Sequence, residues 1–133
     1  MNKEILKIAL NTKNLSFLKD CTHSCKMKNS TCGDQIKIYI IVQNNKIIDF
    51  KYEGESCIYS QASASLLSRC IVNKKTNKIK SLLLKSNLLF KKEKNILNNE
   101  WKSILKLMNK SNISRKECLL LPIKATLKAL KIK

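Results

Sequence analysis

Apolar and polar residues alternate over 36–42, IKIYIIV, and again over 46–54, KIIDFKYEG. Alternation with a period of two is typical of strands that bury one face, and the Asn44–Asn45 pair between the two segments is a turn signal. These segments therefore predict an antiparallel hairpin whose second strand ends at Gly54.

Elsewhere the apolar residues follow a helical spacing, and the predicted helices flank the hairpin in the chain. Leucines throughout the long segment after the hairpin, Leu84 and Leu88 among them, are expected in the core. Pro122 is tolerated only in a first helical turn, so the last helix is expected to start near Cys118. A small hairpin sheet packed against several helices is an α+β fold. The predicted helical segments are 2–10, 57–72, 78–110 and the one that starts near Cys118.

The length of 133 residues predicts a single domain spanning 1–133. No apolar segment approaches the roughly 20 residues that span a bilayer, so we expect no membrane association. The first residues, MNKEILKIALNTKN, lack the pattern of a secretory signal, which favours the cytoplasm. Thiols stay reduced there, so the six cysteines indicate metal or sulfur chemistry rather than disulfides.

The chain is strongly basic, with 27 Lys and Arg against 9 Asp and Glu and a net charge of +18. A basic nucleic-acid-binding module is one function of a different class that this charge allows. However, nearly all of the charge is lysine spread along the chain, and aromatic residues make up only 5%. Basic residues interleaved with base-stacking aromatics are absent, so we expect an acidic protein partner and no nucleic acid.

Three cysteines fall where predicted elements begin. Cys32 and Asp34 precede the first predicted strand, Cys57 begins the helix after the hairpin, and Cys118 begins the last helix. The positive end of a helix dipole favours a thiolate, which is the nucleophilic and metal-binding form. Three thiolates and a carboxylate suit tetrahedral zinc or one side of an iron–sulfur cluster. The spacing contains no Cys-x-x-Cys pair, so buried structural thiols remain an alternative at this point.

Three sequence blocks carry a resemblance to a known family. NSTCGD, IIDFKYEGESCIYSQASASLL and SRKECLLLPIKATLKAL occur in this order and resemble the signature blocks of the U-type iron–sulfur scaffolds. That family comprises IscU, SufU and the N-terminal domain of NifU. The long interval between the second and third matched cysteines makes the chain more similar to SufU.

The resemblance implies a function and a ligand set. It implies a scaffold that accepts sulfur from a cysteine desulfurase and binds iron or an iron–sulfur cluster, expected to be [2Fe–2S], for transfer to acceptor or carrier proteins. Cys32, Asp34, Cys57 and Cys118 would be the ligands, with Cys32 or Cys118 as persulfide acceptor. The alternative within the family is a zinc-dependent protein that transfers persulfide sulfur. Either reading makes the chain a scaffold or sulfur carrier rather than a redox enzyme.

Other polar and sulfur-containing residues have simpler interpretations. Glu117 stands where IscU-type proteins have His and SufU-type proteins usually have Lys, so it is either a group behind the ligands or an alternative oxygen ligand. Cys70 lies on an apolar helix face and is interpreted as a buried structural thiol. Cys21, His23 and Cys25 are interpreted as exposed loop residues, with an accessory metal site as the alternative.

Overall fold

The structure is a computed structural model that describes residues 3–29, 33–91 and 100–131. It contains a three-stranded sheet and five α-helices, which confirms the α+β prediction. None of the helices in these ranges is long and apolar enough to cross a membrane. The elements are α1 (Lys3–Ala9), β1 (His23–Lys28), β2 (Gln35–Gln43), β3 (Lys46–Glu53), α2 (Ile58–Cys70), α3 (Lys78–Lys91), α4 (Lys102–Leu105), a 3-10 helix (Lys110–Arg115) and α5 (Lys116–Ala129).

The predicted hairpin is formed by β2 and β3, which pair antiparallel from Lys37 opposite Glu53 to Gln43 opposite Lys46. Its two-residue loop has positive φ at both positions, 53° at Asn44 and 62° at Asn45. Asn tolerates this left-handed conformation, and two such residues in succession make the turn that suits the twist of a hairpin. The Asn pair therefore sets the register of the hairpin.

A third strand, β1, was not predicted. Residues 23–28 pair antiparallel with β2, so the interpretation of His23 and Cys25 as exposed loop residues is wrong. The side chains of β1 alternate between half-buried and exposed, and Cys25 and Met27 pack against the core. The outward positions hold Ser and Lys, so the strand is too polar and too short to stand out in the sequence.

The sheet is covered by α5, which contacts β1 and β2 on one side and α2 and α3 on the other. Every residue of α5 from Cys118 to Ile123 is buried. The helix α2 packs mainly on α5 and α1, and its buried face consists largely of Ser and Ala. Small side chains allow the two helix backbones to approach closely, which brings the starts of α2 and α5 together.

The segment predicted as helical over 78–110 is only partly so. It forms α3 and the short α4, and residues 92–99 lie outside the described residues. Leu84 and Leu88 are 62% and 42% exposed, so their prediction as core residues is wrong. The leucines of α3 are too numerous to share one face, and Ile79, Leu82 and Leu89 occupy the buried one.

The last helix also differs from the prediction. It begins at Lys116, so Pro122 lies beyond the first turn. Proline has no N–H to donate to the carbonyl four residues earlier, which is that of Cys118. The Ser60 hydroxyl on α2 lies 2.9 Å from that carbonyl oxygen and provides a donor from another element. A tertiary contact therefore compensates for the hydrogen bond that Pro122 removes.

Candidate metal and sulfur site

Three of the four predicted ligands meet at one end of the molecule. A carboxylate oxygen of Asp34 and the sulfur atoms of Cys57 and Cys118 all lie within 4.8 Å of one another. Asp34 directly precedes β2, Cys57 is the N-cap of α2, and Cys118 lies in the first turn of α5. Cys32, the fourth predicted ligand, lies outside the described residues. It stands two positions before Asp34 in the chain.

The Asp34 side chain links the start of β2 to the start of α2. Its Oδ1 accepts a hydrogen bond from the Cys57 backbone N–H at 3.0 Å, and its Oδ2 lies 2.9 Å from the Ser60 hydroxyl. Asp34 is only 7% exposed. A carboxylate is favoured at a helix N-terminus, where backbone N–H groups and the helix dipole are positive. Asp34 therefore caps α2 and also faces the two thiols.

Gly54 sets how closely the chain after β3 approaches the start of β2. Its φ is +142°, and a Cβ at this position would lie 2.3 Å from the Gln35 carbonyl oxygen. The chain is drawn back against β2, where the Gln35 N–H donates to the Glu55 carbonyl at 2.8 Å. This close approach places Cys57 beside Asp34, and only glycine permits it.

Both the backbone carbonyl and the sulfur of Cys118 contact side chains from other elements. Its carbonyl is the one that Ser60 contacts, and its Sγ lies 3.9 Å from the Asn29 side-chain amide nitrogen. The Asn29 backbone N–H also donates to the Asp34 carbonyl at 2.7 Å. Cys118 is 5% exposed, whereas Cys57 is half-buried. The site therefore has one buried thiol, one accessible thiol and a buried carboxylate.

The donor set fits a thiophilic metal. Ligand atoms around a tetrahedral ion, with bonds of about 2.0–2.3 Å, lie roughly 3.3–3.8 Å apart. The three groups lie within 4.8 Å of one another, so small side-chain movements would bring them to such distances. Two thiolates with one carboxylate suit zinc or iron rather than magnesium or calcium, which prefer oxygen ligands alone.

Other residues considered from the sequence lie apart from this group. The Glu117 carboxylate is 2.9 Å from the Lys124 ammonium on the exposed side of α5, so it forms a surface ion pair within the described part of the chain. Cys70 packs against the core, and burial raises the pKa of its thiol to about 11. Burial also raises the pKa of Cys25. A raised pKa favours the protonated thiol, which is the less reactive form.

The sequence did not single out Ser60, Asn29 or Pro122 as parts of this site. The buried Ser60 hydroxyl contacts both Asp34 and Cys118, and Asn29 contacts Cys118. Ser60 belongs to a run of Ser and Ala residues on α2, a pattern that is also typical of close helix packing. A polar residue three positions after Cys57 faces the same side of α2, and that spacing is the signal that could have identified it.

Comparison with known proteins identifies the family. The model of the NifU-like N-terminal domain matches residues 1–92. The chain belongs to the NifU-like N-terminal domain family. Over 131 residues this NifU-like chain is 32% identical to the iron–sulfur cluster assembly scaffold protein IscU of Thermotoga maritima, covering 98% of this chain and 92% of the relative.

A second relative represents the zinc-dependent branch. The zinc-dependent sulfurtransferase SufU of Bacillus subtilis is 38% identical over 64 residues, which cover 48% of this chain and 43% of the relative. Among solved structures, the N-terminal NifU-like protein of Brucella abortus superposes with a TM-score of 0.86 at 18% identity, covering 98% of this chain and 91% of the other. FiSufU of Fervidobacterium islandicum gives 0.82 at 24% identity, covering 98% and 96%. These two likenesses establish the fold.

Proposed function

We propose that this NifU-like chain is an iron–sulfur cluster assembly scaffold. It accepts sulfur from a cysteine desulfurase, assembles iron and sulfur as a cluster of the [2Fe–2S] type, and passes the cluster to acceptor or carrier proteins. The observation that carries the proposal is the meeting of Asp34, Cys57 and Cys118 within 4.8 Å. Cys32, two positions before Asp34 in the chain, completes the proposed ligand set. The iron and sulfide are cargo, so the site must release what it binds.

Asp34 suits this requirement for release. A carboxylate is a harder and less covalent ligand than a thiolate, so iron is held less firmly by Asp34 than it would be by a fourth cysteine. Cys57 is half-buried, so a partner can reach part of the site, whereas Cys118 is buried.

Sulfur delivery requires an attacking thiolate, for which Cys32 and Cys118 are the candidates. The thiolate attacks the outer sulfur of the desulfurase persulfide, and a new S–S bond forms on the scaffold. The desulfurase cysteine leaves as a thiolate, so one sulfur atom moves and no external oxidant or reductant is needed. For assembly, an external donor supplies two electrons per sulfane sulfur, which reduces it to sulfide. The sulfide then combines with iron.

A second function is favoured by the relationship to the zinc-dependent SufU of Bacillus subtilis. In that case zinc would be bound by Asp34, Cys57, Cys118 and Cys32, and the chain would transfer persulfide sulfur without assembling a cluster. Zinc would hold the thiols as thiolates at neutral pH and orient them. The same donor set serves both functions.

The cellular compartment and the docking partner follow from the cysteines and the charge of the chain. We expect residues 1–133 to form one domain that works in the cytoplasm, where thiols stay reduced. A net charge of +18 favours docking to an acidic surface of the desulfurase.

The test is reconstitution without oxygen from the purified chain, a cysteine desulfurase, cysteine and a thiol reductant, with either ferrous iron or zinc. The scaffold function predicts that iron and acid-labile sulfide accumulate on the chain and then move to an apo-ferredoxin. The transfer function predicts that zinc-loaded protein passes sulfur on and that no stable cluster forms. If neither sulfide nor persulfide appears on the chain under either condition, the proposal is wrong.

A further inference from the structure

Ser60 occupies an unusual position among the groups of the site. Its side chain is fully buried, and its Oγ lies 2.9 Å from Asp34 Oδ2, 2.9 Å from the Cys118 carbonyl oxygen and 3.9 Å from Cys57 Sγ. One hydroxyl on α2 thus contacts the Asp34 carboxylate, the Cys57 sulfur and the backbone of Cys118, which are the three residues of the described cluster.

The two oxygen contacts compete for one proton. A serine hydroxyl has a single hydrogen, so it donates either to the carboxylate or to the carbonyl at a given moment. The carbonyl needs this donor only because Pro122 has no N–H to offer it. Because Pro122 offers no N–H, the Cys118 carbonyl and the Asp34 carboxylate share the Ser60 hydroxyl as a donor.

We propose that Ser60 is a positioning residue that orients the Asp34 carboxylate for metal binding and couples this oxygen ligand to Cys118. The inference rests on the proposed metal-binding function of the site. Hydrogen bonds to a ligating carboxylate fix its orientation, and outer partners of this kind typically change metal affinity by about 10- to 100-fold. Without Ser60, the Asp34 oxygen bonded to it loses that contact, and metal is held less tightly.

The structure allows the orienting role to be separated from the support that Ser60 gives to α5. In Ser60→Ala both the Cys118 carbonyl and the Asp34 carboxylate lose their contact with the Ser60 hydroxyl. In Ser60→Ala/Pro122→Ala the alanine at 122 restores the helix N–H for that carbonyl, so the contacts that remain lost are those to Asp34 and to Cys57 Sγ. Comparing the double variant with Pro122→Ala alone therefore separates the effect on these two side chains, of which Asp34 has the shorter contact, from the support of α5.

Ser63 offers a matched control. It is fully buried on the same helix one turn further on, and its hydroxyl donates to the Leu119 carbonyl of α5 at 2.6 Å. Ser63→Ala removes an equivalent buried hydroxyl from the interface between α2 and α5 and leaves the three contacts of the Ser60 hydroxyl in place.

The experiment measures zinc affinity by competition with a chromophoric chelator, and the absorption spectrum of each protein loaded with cobalt(II). We expect about a 10- to 100-fold loss of zinc affinity in Ser60→Ala/Pro122→Ala relative to Pro122→Ala, and no such loss in Ser63→Ala. Thiolate-to-cobalt charge-transfer bands should persist in the double variant while the ligand-field bands change, because the sulfur ligands stay and the oxygen ligand is misplaced.

Two results would overturn the inference. Affinity in the double variant equal to that of Pro122→Ala would show that Ser60 only supports the fold, and an equal loss in Ser63→Ala would show a general packing effect. Failure of the unaltered chain to bind zinc, cobalt or iron is a different result, since it would remove the proposed function itself.

Discussion

Replacing Asp34 separates its role as a helix cap from its role as a ligand. Asp34→Ala leaves the Cys57 N–H without its 3.0 Å partner, while Ser60 can still donate to the Cys118 carbonyl. A stranded backbone donor costs about 1–3 kcal/mol, so the metal-free variant should unfold at a temperature lower by roughly 4–12 °C for a chain of this length. Asp34→Asn keeps an oxygen for the Cys57 N–H, so its loss of stability should stay within about 1 kcal/mol.

The Asp34 variants should rank differently in metal affinity than in stability. Both variants lose the carboxylate charge, so both should bind zinc at least about tenfold more weakly than the unaltered chain. Asp34→Cys should instead hold metal or cluster longer and deliver it more slowly, since a thiolate is the more covalent ligand. Thermal unfolding of metal-free protein, together with zinc competition and timed transfer to an acceptor, measures each effect. If Asp34→Asn and Asp34→Cys load and release metal at the rate of the unaltered chain, Asp34 is a cap alone and leaves the proposed ligand set.

Three further predictions concern other parts of the chain. In thermal unfolding, Gly54→Ala should destabilise the protein by more than Gly33→Ala. Both substitutions impose strain at positive φ, but only Gly54→Ala places a Cβ against the Gln35 carbonyl. Equal losses of stability would refute the close approach. With a pKa of about 11, Cys70 should be alkylated at pH 8 at least about a hundredfold more slowly in folded than in urea-unfolded protein, and its rate should rise as pH approaches 11. Binding to a cysteine desulfurase should weaken with added salt, and duplex DNA should compete poorly for the chain. Tight DNA binding at physiological salt would count against the proposed function.

The sequence allowed the hairpin and α2 to be predicted because their signals are local. Alternation and an Asn pair define β2 and β3, and Gly54 ends the second strand where expected. The strand β1 was missed because its outward residues are polar and only its pairing with β2 makes it a strand. Local pattern is therefore informative where one face is clearly apolar, and it fails where the tertiary partner decides the structure.

The candidate site divides in a similar way. From the sequence alone, Cys57 and Cys118 could be placed at helix starts and Cys32 and Asp34 before the first strand, and the resemblance then joined the four into one ligand set. The position of Pro122 inside α5 could not be foreseen, since it depends on a hydroxyl from α2 some sixty residues earlier in the chain. The exposed ion pair between Glu117 and Lys124 likewise depends on geometry that spacing alone leaves open.

The central claim is that Asp34, Cys57 and Cys118, with Cys32, form a site that carries iron and sulfur. The most direct test is the metal and acid-labile sulfide content of protein purified without oxygen, measured for the unaltered chain, Cys118→Ser and Cys70→Ser. We expect iron with sulfide in the unaltered chain and in Cys70→Ser, and their loss in Cys118→Ser; zinc without sulfide in the same pattern would support sulfur transfer instead. Equal metal and sulfide contents in all three proteins, or none in any, would rule out this site.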